Sequence, residues 1–149
     1  MPKYSNGLSK GADSVKSIGL VTAPATNMRR IKISDWSFGC EAAPADNTFV
    51  HIAQRCTTAG TWAAVTAKPV DPADTITPAM VLKDTVTADP TLTAGEILLR
   101  KPMNQRATFR WVAAPGGELV VPATASNGIM LGLSAASTTL FGCDVQTEE

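Results

Sequence analysis

Several things are scarce in this sequence, and each shortage excludes a class of function. Neither sign of charge dominates: 13 Lys and Arg balance 13 Asp and Glu over 149 residues. The broad basic footprint that draws a protein to nucleic acid is therefore missing. No apolar run approaches the roughly 18 residues needed for a membrane-crossing helix. Met1 to Lys16 hold no apolar stretch of the kind a secretory signal requires, so no secretory signal is expected there. The three cysteines, Cys40, Cys56 and Cys143, are too few for a disulfide scaffold and form no CxxC pair. They read as reduced, small core residues.

Chemistry-bearing groups are equally sparse. His51 is the sole histidine, so any Ser-His-Asp or Cys-His arrangement must pass through it. It sits mid-strand between Val50 and Ile52, which reads as a strand-face histidine. One histidine and scattered cysteines give no zinc spacing. Asp71-Pro72-Ala73-Asp74 is the closest carboxylate pair in a loop; calcium or acid–base work is imaginable, but Asp before Pro is ordinary turn chemistry. GxxxxGK[ST], GxGxxG and GxSxG are absent. The basic residues Arg106 and Arg110 have the opposite strand parity to Phe109 and Trp111, so they do not interleave with exposed aromatics as an RNA-binding sheet requires. No catalytic residue, cofactor or metal site is assigned.

What is present points to strands. Thr, Val and Ile favour extended backbone, and 10 Pro and 11 Gly interrupt any helix. Residues 1–13 are polar and unpatterned, which suggests an extended N-terminal arm; 14–149 read as a single β-sandwich domain. Ser14 to Val21 is a first strand. Met28 to Cys40 is a strong one, with Ile31 and Ile33 on one face. Trp36, Phe38 and Cys40 then take the opposite parity, so a bulge is expected near Ser34-Asp35. Phe49 to Cys56 and Trp62 to Ala67 suggest a hairpin through Gly60. Residues 68–93 are broken by prolines, with a short helix expected over Thr77–Lys83, Thr77 as its N-cap. Glu96 to Arg100 is a strand ended by Lys101-Pro102. Arg106 to Ala113 alternates cleanly. Asn127-Gly128 is a hairpin-turn dipeptide. Ile129 to Ser134 and Thr138 to Gln146 follow, and Thr147 to Glu149 read as a solvated tail. The expected fold is all-β: an antiparallel, jelly-roll-like β-sandwich of about eight strands.

The stretch Asn104-Gln105-Arg106-Ala107-Thr108-Phe109-Arg110-Trp111 through Pro115-Gly116-Gly117-Glu118 to Thr124, with Asn127-Gly128-Ile129, resembles small structural proteins of tailed bacteriophages. Met28-Arg29-Arg30-Ile31-Lys32-Ile33 and Pro44-Ala45-Asp46-Asn47 fit the same style. The resemblance is to capsid decoration (cement) proteins. It implies a trimerising β-sandwich on the outside of a virion capsid, a non-enzyme that bridges neighbouring major capsid subunits and binds neither nucleic acid nor membrane. The arm and loops would carry the contacts, with no individual residue assigned by the resemblance; Lys3, Tyr4 and Lys10 of the arm and Asp71 and Asp74 of the loop are the capsid- or subunit-contact candidates read from the sequence itself. An alternative is a virion-surface attachment module binding a host glycan or receptor. An enzyme built on His51, and a major coat protein, are weaker readings.

Overall fold

The computed structural model describes residues 1–26, 29–74 and 78–149. Among them are eleven strands and no helix: β1 (Lys3–Ser9), β2 (Val15–Thr22), β3 (Ile31–Cys40), β4 (Thr48–Cys56), β5 (Thr61–Val65), β6 (Val81–Ala88), β7 (Leu92–Asn104), β8 (Phe109–Val112), β9 (Leu119–Val121), β10 (Gly128–Ser137) and β11 (Phe141–Glu148). They form two antiparallel sheets. The first runs β1-β11-β3-β8, and β9 also pairs with β3; the second runs β5-β6-β2-β10-β4-β7. β8 and β9 lie end to end along one edge of β3, opposite Asp35–Phe38 and Ile31–Ile33 respectively.

Apolar parity decides which face each strand turns inward. On β3, Ile31, Ile33, Trp36 and Phe38 are all buried. The parity change between Ile33 and Trp36 is the expected bulge: Gln146 pairs with Asp35 and Thr147 with Ile33, leaving Ser34 as the extra residue. The main core lies between the sheets. Tyr4, Leu8, Trp36, Phe38 and Val145 from the first meet Ile18, Val21, Ala53, Ile129 and Leu131 from the second.

Several expectations are corrected. Residues 1–13 are not an arm outside the core. Residues 3–9 are β1, paired with β11 from Lys3↔Glu148 to Ser9↔Gly142. The other edge of β1 is also held, because Ser5 N donates to Lys68 O and Val70 N to Lys3 O. Thr147 to Glu149 are not a free tail: Thr147 is buried, and the Glu149 carboxylate accepts the Ala79 and Met80 amides. The expected helix over 77–83 is absent from its described part, where Val81–Lys83 open β6 and pair with β2; Thr77 lies outside the described residues. β4 and β5 form no hairpin, since β5 pairs with β6 at the far edge of the second sheet. Pro102 does not end its strand. It sits within β7, an edge strand, where a missing N–H is tolerated. Asn127-Gly128 joins strands of different sheets and is not a hairpin turn.

The outer face of the second sheet is covered as well. Leu20, Ile52, Cys56 and Met130 form a second buried cluster with Val86, and Trp62 and Leu92 pack on it. Val86 belongs to β6, yet it meets residues of β10 and β4, so the later part of β6 folds over the sheet. The turn-over point is Thr85, whose φ is 47°. That conformation is rare for a β-branched residue.

Candidate functional site

A shallow trough of about 490 Å³ lies on the first sheet, toward the end where β1 and β3 finish. Strand register explains its shape. Side chains two apart on a strand share a face, and the pairing aligns Gly7, Asp144, Ser37 and Arg110 in one row across the outer face. The next row is Ser9, Gly142 and Gly39, with Thr108 beside Gly39. Glycines in these rows leave the backbone as the floor. Added side chains would not fit freely: a Cβ on Gly142 would run into the Glu41 carboxylate, and one on Gly39 would meet Thr108 Cγ2 at 3.0 Å.

The polar groups of the trough are partly spent on each other. Ser9 Oγ donates to Glu41 Oε1 at 2.8 Å, and Ser37 Oγ points to Asp144 Oδ2 at 3.5 Å. Arg110 forks onto Asp35, with Nε 2.9 Å from Oδ2 and 3.1 Å from Oδ1, and Nη2 completes the pair. The guanidinium that lines the trough is thus occupied, and the surface is open, glycine-floored and bounded by the carboxylates of Glu41 and Asp144.

The groups with chemical potential are buried. His51 is 2% exposed, its ring 4.1 Å from that of Phe38 and 5.3 Å from that of Phe141. Burial holds its pKa down at about 4, so the imidazole is neutral at pH 7. Burial pushes the Cys56 thiol up to about 11 and the Cys143 thiol up to about 12; both remain protonated and poorly nucleophilic. No group of three or more His, Cys, Asp or Glu side chains able to hold a metal occurs among the described residues.

The contact residues expected from sequence divide. Lys3 and Asp71 are exposed and Asp74 is partly so. The pairing of residues 68–70 with β1 brings Lys3 near the Asp71 turn, in which Ala73 N donates to Asp71 Oδ1 at 2.9 Å. Tyr4 and Lys10 are corrected: they are 1% and 3% exposed, so they hold the fold and present no surface to a partner. Tyr4 packs in the main core. Lys10 donates from Nζ to the carbonyls of Gly11 and Asp13 at 2.9 and 2.7 Å. Sequence reasoning missed the trough residues Gly7, Ser37, Gly39, Glu41, Gly142 and Asp144. The available signal was the run of small or polar residues at alternate positions of β3 and β11, opposite the apolar set.

No protein-family model, curated protein or solved structure matches the chain.

Proposed function

We propose that the chain is a viral structural protein: a capsid decoration, or cement, protein that binds the outer surface of a tailed-phage head and stabilises contacts between major capsid subunits. On this reading it is not an enzyme. It is made in the host cytoplasm, assembles as a homotrimer, and binds the major capsid protein. The observation that carries the proposal is the strand order. With β5, β6 and β9 set aside, the sheets read β1-β11-β3-β8 and β2-β10-β4-β7. In chain order these eight strands alternate between the sheets except at β4 and β7, which are neighbours in the second sheet; we read this path as jelly-roll-like, an architecture used by viral capsid proteins and also by lectins. Fold alone does not assign function. The resemblance of residues 104–129 to phage structural proteins favours the capsid over a glycan as partner.

The trough gives this reading a docking face. Glycines leave much of its floor as backbone, and it opens on the face of the first sheet away from the core. Contacts repeated by symmetry need little individual strength, because each subunit bound raises the effective concentration for the next. The test is co-sedimentation of the purified protein with empty phage heads assembled without it. Pelleting with heads supports the proposal. Failure to pellet, together with retention on a glycan array or host cells, supports the attachment module instead.

A further inference from the structure

The second sheet holds a charge that the docking face does not use. Lys83, on β6, is 3% exposed. Its Nζ lies 4.2 Å from the centre of the Trp62 ring on β5, and no carboxylate forms an ion pair with it among the described residues. Burying an ammonium without an anion is costly, and a single cation–π contact offsets only part of that cost. The neighbouring strands offer little else. Lys83 stands opposite Leu20 on β2 and Ala64 on β5, beside the cluster of Leu20, Ile52 and Met130. Cys56 on β4 is the titratable group that acts on it electrostatically. The nearby acids are turned to other partners: Asp84 accepts the Ser9 and Thr85 amides, and Asp89 accepts those of Lys16 and Ser17.

Two residues beyond Lys83 the backbone is strained. Thr85 has a φ of 47°, a left-handed conformation that costs a β-branched residue energy. The β5–β6 register slips there, from Ala63↔Asp84 to Thr61↔Ala88. Past this point Val86 covers the apolar cluster, and Gly60 lies against the Ala88 carbonyl. Residues 85–91, with the Thr61–Trp62 end of β5 against them, thus form a flap with a strained hinge at Thr85, an apolar underside, a tie from Asp89 to the Lys16 and Ser17 amides, and one buried charge at its margin.

We propose that this flap is a proton-sensitive cover: it lifts more readily when Lys83 is charged, exposing the apolar face of Leu20, Ile52 and Met130, and stays shut when Lys83 is neutral. The direction follows from linkage. Burial lowers the pKa of Lys83 from 10.5 to about 8, and lifting the flap returns the amine to water and to its ordinary value. The open form therefore binds the proton more tightly. Opening becomes easier as pH falls from about 10.5 to about 8, then levels off.

Cys56 lies beneath the flap at 2% exposure, so its alkylation reports opening. The experiment measures iodoacetamide labelling of the Cys56 peptide by mass spectrometry, for the unmodified chain and for Lys83→Met and Lys83→Gln, between pH 7 and 10.5. Labelling passes through the open form, in which Cys56 and Lys83 both face water, so the ratio of unmodified to variant rates at each pH removes the ordinary ionisation of the thiol. The expected ratio is at least tenfold larger at the low end of the range than at the high end. Trp62→Leu is expected to raise labelling more at the low end than at the high end. A ratio that does not change with pH overturns the proposal. So does labelling of Cys143, buried between the sheets, in step with Cys56, because the opening would then be unfolding of the whole domain.

Discussion

The carboxylate of Asp89 reaches back across the second sheet to Ser17, accepting its amide at 2.9 Å and its hydroxyl at 2.8 Å. The Lys16 amide adds bonds at 2.9 and 3.0 Å. These contacts join the start of β2 to the connection between β6 and β7, more than seventy residues later. Hydrogen bonds to a charged acceptor are the stronger kind, and removing the acceptor strands the donors. Asp89→Ala is expected to cost about 2–4 kcal/mol in urea unfolding, and Asp89→Asn about half as much. An unchanged unfolding midpoint for Asp89→Ala contradicts this account.

His51 makes the fold acid-sensitive. Its pKa is about 4 in the fold against an ordinary 6.5, so the unfolded chain binds the extra proton first. Stability is fully present above about 6.5 and is lost as pH falls toward about 4. The loss is on the order of 3 kcal/mol by linkage. His51→Leu should flatten that part of the stability–pH curve. A variant that retains the full acid slope would assign the sensitivity to other groups.

β1 is structural. Deleting residues 1–13 removes an edge strand that contributes Tyr4 and Leu8 to the core, so the truncated chain is expected to unfold rather than persist as a sandwich unable to dock. Leu8→Ala, milder, should cost about 2–5 kcal/mol. A truncated chain with the circular dichroism and melting temperature of the full chain would refute this.

How legible each element was depends on whether its partner is local. The bulge at Ser34 was readable because both halves of β3 carry their own alternation, Ile31 and Ile33 and then Trp36 and Phe38. β1 also alternates, with Tyr4, Asn6 and Leu8 inward, but two apolar residues in a polar stretch are a faint signal. Only pairing with β11, at the far end of the chain, makes it a strand. Val81–Lys83 follow a Thr-Pro helix start and become a strand because β2 offers an edge sixty residues away. Gly60 marked a turn correctly, but the strand after it pairs with β6 and not with β4. Lys10 and Lys83 look like solvated charges in sequence; their burial is set by distant packing. The trough was the least visible feature, because it is defined by register among four strands and not by any one segment.

Two glycines separate the effect of conformation from that of space. Gly60 has φ 66°, and a Cβ there would strike the Ala88 carbonyl and lie 2.9 Å from Asp89 C. Gly95 has φ 78° with nothing within 4 Å. Gly95→Ala should therefore cost about 1 kcal/mol, the strain alone. Gly60→Ala should cost at least twice that in thermal or urea unfolding. Equal effects would mean that the close approach of Gly60 to β6 does not constrain the fold.

On the proposed function, the outer face of the first sheet docks the protein onto a capsid. The most direct test of that claim places a large side chain in the trough, away from the core, with Ser37→Trp, and compares head binding by sedimentation. The unmodified protein is expected to bind empty heads saturably, and Ser37→Trp to lose at least tenfold in affinity while keeping its melting temperature. Equal binding by both proteins, or binding by neither, contradicts the claim.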